Sequence, residues 1–443
     1  MTLPPGPSLP APVQMLRLMA RPVPLLERSR REFGDSFTLR APPMGELVFV
    51  SDPTSIKAVF AADRVNTIAT GRNLVLAPLL GEDSLLLLEG QRHFGRRKLM
   101  LPPFHGERMR AYEQVMREAT ERQLRSWPLG EAFRLHASMQ EITLDVIMRA
   151  VFGVGRGRRE ELRRALLEIL AAVRSPATIG VTLPVVRELP RFRKLAARVR
   201  AADALLAAEI ADHRADPGLA ERDDILSLLI EARDPEGEGM GDSELRDQLM
   251  TLLLAGHETT ATALAWAFEL LFRRPDALTR LTEEVRCGES GYLDAVIEET
   301  LRLRPVVPFV GRLLRRPMTL DGYELPTGTN VFPAIYLAHT NPSSFPDPYA
   351  FLPERFLEGS PETYSWIPFG GGTRRCIGAS FAQFEMRVVL QTVLSGAVLR
   401  PGSDRPQPMV RRNVTLSPRD GTPAILAERR RFAIEREGAL SPS

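Results

Sequence analysis

Cysteine is nearly absent from this chain: two residues in 443, Cys287 and Cys376. A multi-bridge disulfide framework is excluded, and a reducing, cytoplasmic setting is expected. No apolar run reaches the roughly 18 residues that a membrane-crossing helix needs. The first stretch, MTLPPGPSLPAP, has no charged segment ahead of an apolar one, so neither a secretory signal nor a membrane anchor is expected. Excess charge of one sign is missing too. The 58 Lys and Arg stand against 55 Asp and Glu, a net +3, which argues against a dedicated nucleic-acid binder. No Gly/Ser linker, low-complexity run or internal repeat divides the sequence. Length alone would allow about three domains. Without a dividing segment, the expectation is one mainly helical, monomeric unit over residues 1–443, with a proline-rich hinge at 1–12 and a charged, partly disordered tail from about 428 to 443.

What the chain does have is glycine and arginine concentrated around its second cysteine. Phe369–Gly378 reads FGGGTRRCIG. From Ile377 to about Leu394 the spacing is helical, with Ala379, Ala382, Phe384 and Val388 on an apolar side, so Cys376 stands at or just before a helix N-terminus. Free N–H groups and the positive end of the helix dipole there favour a thiolate. Gly370, Gly371, Gly372 and Gly378 permit positive φ and close approach to something large and flat. Arg374 offers a fork of donors to a carboxylate at the edge of such an object. By themselves these residues leave two readings open, an inert cysteine in a turn or a thiolate ligand to haem.

Upstream, residues 13–33 read as one helix, 36–39 and 46–51 as a hairpin through Pro42–Pro43, and Pro53–Ala61 as a helix with proline in its first turn. The stretch from Asn66 to Gly90, with Leu85, Leu86, Leu87 and Leu88, is too apolar for a surface loop and suits a cover over an apolar cavity. His93 and Arg97 lie four apart and share a helix face, which is either a solvated basic face or part of a binding site. Amphipathic stretches follow at 110–126, 139–152, 158–174 and 197–213, with a proline-broken segment at 175–190. A helix capped by Asp242 or Ser243 runs to Arg274, long enough to cross the molecule. Its middle, LLLAGHETTATALAWAF, buries polar groups that need a reason. Thr259 can bond back to the carbonyl of Ala255 and bend the helix, while His257 suits a structural role. Glu299 and Arg302 share a face of the next helix but one. Tyr323–Leu325 and Val331–Phe332 are strand-like, and VTLSPRDGTPAIL reads as a hairpin turning at Arg419–Gly421.

The pattern Phe-x-x-Gly-x-Arg-x-Cys-x-Gly, complete at Phe369, Gly372, Arg374, Cys376 and Gly378, resembles the haem-binding signature of the cytochrome P-450 family. AGHETT matches the family's pattern on its long helix, and Glu299-x-x-Arg302 with the later Arg355 matches its ion-pair triad. The resemblance implies a mainly α fold with small β regions, holding haem b between the long helix and the cysteine loop with its following helix. It implies Cys376 as axial ligand to iron, with Ala255 beside the haem and His93, Arg97 and Arg312 on its propionates. Glu258 and Thr259 would deliver protons, Glu299, Arg302 and Arg355 would hold structure, and 175–190 would form a lid. The family's substrate regions fall on Leu85–Leu88, Leu254, Val306, Val307, Phe309 and Val414, almost all aliphatic. The expected reaction inserts one oxygen atom from O2 into a terpenoid or steroid-like molecule; fatty-acid hydroxylation and peroxide-driven or rearranging chemistry are alternatives, and a haem sensor is a third class. With no flavin or iron–sulfur segment remaining, electrons would come from a ferredoxin or flavodoxin and its reductase, docked on Arg96, Lys98, Arg375 and Arg387.

Overall fold

Proline decides where several helices begin. The structure, a computed structural model, describes residues 3–42, 44–65, 67–69, 77–106, 108–153, 158–173, 190–412 and 414–430. The single helix expected over 13–33 is two, Ala11–Ala20 and Pro22–Phe33, because the residue before a proline is driven out of the helical region; Arg21 has φ −144° and ψ 69°. The proline-rich start is laid along the first strand and does not hang free. Thr38 donates its N–H to Pro5 O at 2.9 Å and its hydroxyl to Pro4 O at 2.7 Å. A Cβ on Gly6 would lie 1.8 Å from Thr38 O, so this contact needs glycine.

The centre of the molecule is the helix Asp242–Phe272, 31 residues and about 46 Å long. It is apolar nearly all round, as a helix surrounded by others must be. Leu245, Leu249, Leu253, Ala261, Leu264, Phe268 and Leu271 are buried in one core cluster with the helices Arg108–Ser126, Leu135–Phe152, Gly291–Leu303 and Ala379–Gly396. Gly241 occupies the N-cap position, and Asp242 and Glu244 fall in the first turn, where the helix dipole favours acids. Asp242 is therefore the first helical residue and not the cap. Helix Pro190–Ala215 extends the expected 197–213 stretch at both ends, and the lid expected at 175–190 falls outside the described residues except for Pro190.

The small β regions form four separate sheets. Strands β1 (Ser36–Arg40) and β2 (Glu46–Val50) pair antiparallel as expected, from Ser36↔Val50 to Arg40↔Glu46. Strands β3 (Thr67–Ala69), β4 (Ala132–Arg134), β5 (Arg312–Leu314), β6 (Met318–Leu320), β7 (Tyr323–Leu325) and β8 (Asn330–Pro333) follow in the chain. The five-stranded sheet has the order β1-β2-β8-β5-β3, with β8 parallel to β2. Phe37, Phe49 and Phe332 stack on its inner face at 5.2–5.5 Å.

The late hairpin is different from the one expected. Strand β11 (Thr415–Pro418) pairs with β10 (Met409–Arg412), whereas β12 (Pro423–Arg429) pairs with β9 (Ala397–Pro401) and with β4. The turn at Asp420–Gly421 therefore moves the chain from one sheet to another. Asp420 N–H is taken by Gln407 Oε1 at 2.8 Å and the Thr422 hydroxyl by Ala265 O at 3.0 Å, which directs β12 away from β11. The strand also runs past the expected start of the tail. Arg429 donates to Trp127 O at 2.8 Å, and Arg430 N–H to Gly396 O at 2.8 Å. Among the described residues, no helix is long and apolar enough to cross a membrane.

Candidate active site

Cys376 closes its loop by donating its backbone N–H to Phe369 O at 2.9 Å. Within the loop Gly370 and Gly372 have φ of +68° and +66°, which glycine alone adopts without strain. The expectation that these glycines face a flat group is corrected for two of them. A Cβ on Gly371 would lie 2.3 Å from the Phe60 ring, and one on Gly372 would lie 2.0 Å from the Asp63 carboxylate. Those glycines let the loop press on the helix Pro53–Ala61 and the turn that follows it. Only Gly378, the N-cap of helix Ala379–Gly396, has open space where its side chain would stand.

Burial pushes the Cys376 thiol up; the Gly378 N–H, Arg97 and Arg375 oppose this but do not prevail. The helix end therefore does not by itself make the free cysteine a thiolate, contrary to the sequence expectation. The residue is nevertheless accessible to solvent. Binding to a metal cation deprotonates such a thiol outright.

Basic side chains gather beside it. His93, on helix Gly90–Met100, is 5% exposed and pushed down to about 4, first by burial, then by Arg374 and Arg97. Arg374 is itself lowered by burial and by Arg312 and Arg97, with Asp63 and Glu89 opposing, and it donates to Leu88 O at 2.6 Å. Arg97 is lowered by burial, with Cys376 opposing. Arg312 differs from these three. Its Nε and Nη2 hold Asp63 at 2.6 and 3.1 Å, Nη2 also reaches Gly371 O at 3.1 Å and Nη1 Gly311 O at 3.0 Å. Four of its five N–H groups are thus engaged by the protein, and Asp63 also accepts from Thr373 N–H at 3.0 Å. His93, Arg97 and Arg374 are left as partly desolvated donors around a cysteine, the two arginines repelling each other. That donor set fits a planar, metal-bearing group with carboxylates at its edge.

The middle of the long helix is less buried than its flanks. Ala255 is exposed, and Leu254, Gly256, Glu258 and Thr259 are half-buried, although the helix on either side is buried. Thr259 donates its hydroxyl to Ala255 O at 2.7 Å, which leaves its lone pairs to accept a further hydrogen bond. Gln140 Nε2 holds Glu258 Oε2 at 2.6 Å. His257 turns the other way and meets the Thr143 hydroxyl at 3.1 Å, as a structural histidine should. Next along, Thr260 meets Glu385, nine residues past Cys376, a buried carboxyl that burial pushes well above the usual range. Its Oε1 has no hydrogen-bond partner.

The other expected residues separate into groups. Glu299 and Arg302 are fully buried, with Nε–Oε2 at 2.6 Å and Nη2–Oε1 at 2.8 Å, and Arg355 Nε reaches Glu299 Oε1 at 3.3 Å. Leu85, Leu88 and Val306 are buried, Leu86 is exposed, and Leu87, Leu254 and Val307 are half-buried. Phe309 packs edge-on against Phe49 and Phe332 at 5.4 and 5.6 Å, so much of its ring belongs to the sheet core. Val414 is 57% exposed at the β10–β11 turn. In the basic patch, Arg96 is held by Glu244 at 2.6 Å and Arg387 by both oxygens of Asp294, whereas Lys98 and Arg375 are exposed. Sequence reasoning missed Asp63, Gln140 and Glu385. Only Glu385 had a readable signal, since it lies three residues from both Ala382 and Val388 on a helix face expected to be apolar.

A profile of the cytochrome P450 family matches residues 4–422. The chain is 43% identical over 400 residues to the Mycobacterium tuberculosis protein described as cytochrome P450 135B1, covering 89% of this chain and 85% of that one. It is 37% identical over 428 residues to the protein described as cytochrome P450 138 from the same organism, covering 96% and 97%. Among solved structures, retinoic acid-bound cyanobacterial CYP120A1 superposes with a TM-score of 0.85 at 25% identity over 97% of this chain and all of that one. The cytochrome P450DA haem domain gives 0.84, also at 25% identity, over 97% and 99%. With a cysteine loop, a cationic cradle and an interrupted long helix arranged as above, the chain belongs to the cytochrome P450 family, whose members are haem-b monooxygenases.

Proposed function

We propose that this monooxygenase oxidises an apolar small molecule, terpenoid or steroid-like in skeleton. The observation that carries the reading is the aliphatic character of the residues that would line its substrate cleft, Leu88, Leu254, Val306 and Val307, together with the turn exposed at Ala255 in an otherwise buried helix. That a solved relative carries retinoic acid, an apolar isoprenoid chain with one carboxylate, supports it. Cys376 would ligate iron, His93, Arg97 and Arg374 would hold the propionates, and Arg312 would support the cysteine loop through Asp63 while offering its remaining N–H. Haem with a thiolate ligand supplies oxygen activation. The chain's own work is to admit an apolar substrate, exclude water and move protons. Glu258, oriented by Gln140, would supply protons, and Thr259, whose hydroxyl hydrogen is engaged by Ala255 O, would accept a hydrogen bond that orients the group receiving them.

Electrons from a separate partner are required, and we read that partner as an acidic ferredoxin or flavodoxin meeting Lys98 and Arg375. Arg64 lies over the exposed Phe94 ring at 5.4 Å and adds an aromatic, basic edge to the same face. Two unpaired cysteines support a cytoplasmic location. The test is a substrate panel read by the spin-state shift of the Soret band. Terpenoids and steroids are expected to shift it; a shift with charged or sugar-bearing compounds only would overturn the reading.

A further inference from the structure

The long helix carries a second polar group that the oxygen chemistry does not use. Asp247, Gln248 and Thr251 are all buried, one to two turns before Ala255. All three bond to the segment Gly81–Leu85, which leads into the leucine cluster. Asp247 Oδ2 accepts the Asp83 N–H at 2.9 Å, and Gln248 Oε1 accepts the Leu85 N–H at 2.9 Å. Gln248 Nε2 donates back to Asp83 O at 2.5 Å. The Ser84 and Thr251 hydroxyls meet at 2.7 Å. Thr251 already donates to Asp247 O at 2.6 Å, so Ser84 is the donor of that pair, and its lone pairs take the Leu86 N–H at 3.3 Å. Ser84 O then accepts from both Leu87 and Leu88 N–H, at 2.8 and 2.9 Å, which folds the leucines into one tight turn.

Two further contacts fix the ends of this assembly. Gly81 has φ +85°, and a Cβ there would fall 2.0 Å from Asp247 Oδ1, so the segment can approach the helix only with glycine. At the other end Leu88 O accepts from Arg374 of the cysteine loop. Asp247 is held in turn by Arg246 Nη1 at 2.7 Å, and Arg246 Nε reaches Asp203 of helix Pro190–Ala215 at 2.7 Å. Residues 247, 251, 255 and 259 are spaced by four and share one helix face. The face covered by this turn is therefore the one that opens, about 6 Å further along, at Ala255.

We propose that Asp247, Gln248 and Thr251 are positioning residues that hold the Leu85–Leu88 turn as the end wall of the substrate cleft and so set which apolar molecules fit. This rests on the reading of the cleft given under Proposed function, and the test separates the two. The variants are Gln248→Leu, Thr251→Val and Gly81→Ala in the haem-loaded full chain, with Gln248→Glu, which keeps the acceptor for Leu85 N–H, as the conservative control. Hydrogen exchange of the amides at 83–88 is measured first. It is expected to quicken at least tenfold in the first three variants, less in the control, with the helix Ala379–Gly396 unchanged. Exchange unchanged at 83–88, or raised equally throughout, overturns the wall as a held unit whatever the haem does.

Binding of imidazole and of 4-phenylimidazole, read optically, is the second measurement. Imidazole affinity is expected to stay within about twofold, while the larger probe loses fivefold or more, with partial recovery in Gln248→Glu. Loss of both probes alike, or of neither, overturns the positioning role. A wild-type protein with no thiolate signature would instead overturn the haem reading and leave the exchange result to decide the wall. If one variant fails to fold, the remaining two carry the same readout.

Discussion

Two groups of buried and half-buried arginines sit on opposite terms with their surroundings. Around Glu299 every guanidinium group is met by the protein. Arg302 is fully buried and donates to both Glu299 oxygens and to His339 O, Pro348 O and Ala350 O, at 2.6–3.0 Å. Glu299 Oε1 also takes the Leu352 N–H at 2.8 Å. His339 is part of the same unit. Its Nε2 accepts the Ile367 N–H at 2.8 Å and its Nδ1 faces Arg302 O at 3.1 Å, which fixes one neutral tautomer. Beside Cys376 the balance is different. His93, Arg97 and Arg374 crowd together out of water, and the carboxylates that act on them are Asp63, already held by Arg312, and Glu89. The first group is finished when the chain folds. The second is complete only when something anionic arrives, so the folded chain carries an electrostatic cost that a bound dicarboxylate removes.

The largest way to break this contrast is inside the finished group. Glu299→Ala leaves two arginines facing a buried gap and is expected to cost about 3–5 kcal/mol. Urea denaturation would show it, and Arg302→Lys should behave similarly because one ammonium cannot replace a fork of five donors. In the unfinished group the sign differs. Arg374→Gln is expected to leave the haem-free protein as stable as the wild type or more so. Haem transfer to an acceptor protein should speed up roughly tenfold or more, as loss of a charge-assisted bond requires. Haem-free Arg374→Gln that unfolds as readily as Glu299→Ala would erase the contrast.

The histidines sharpen it by pH. His339 is pushed down to about 3 by burial and by Arg302. Below the ordinary histidine value near 6.5 the unfolded chain binds a proton that the folded one refuses, so stability is present above that value and is lost as pH falls toward 3. His93, lowered first by burial and then by Arg374 and Arg97, gives the same direction over 6.5 to about 4. Glu385 runs the opposite way. Its raised carboxyl pKa means stability present below the ordinary value of 4.5 and lost as pH rises. Thermal scans of Glu385→Gln are expected to show a flatter alkaline limb than wild type. An unchanged limb would mean that this carboxyl is not held neutral. The smallest effect concerns the surface. Arg387 is satisfied by Asp294 and Arg375 is exposed, so Arg375→Glu should slow reduction by a ferredoxin several-fold at low salt, with Arg387→Gln nearly silent.

The sequence was most legible where a residue type allows little choice. Cys376 with its glycines, the polar interruption at Glu258–Thr259, and Glu299 with Arg302 could be named because each breaks the pattern around it. Helix boundaries set by proline were readable at Pro53 and misread at Pro22, where a continuous apolar periodicity masked the break. The late hairpin was misread because alternation identifies a strand but not its partner; β11 and β12 belong to different sheets. Gly371 and Gly372 were explained by the wrong neighbour, since nothing local announces Phe60 or Asp63 some 310 residues earlier in the chain. For the same reason Gln140, far from Glu258 in sequence, gave no sign of its role.

The most direct test is the carbon monoxide difference spectrum of the reduced, haem-loaded protein, with Cys376→Ser beside it. The account predicts the red-shifted Soret band of thiolate ligation in the wild type and its loss in the folded variant. A wild-type protein that is folded and haem-loaded yet lacks that band, or a variant that keeps it, would contradict the assignment of Cys376 and the proposed chemistry built on it.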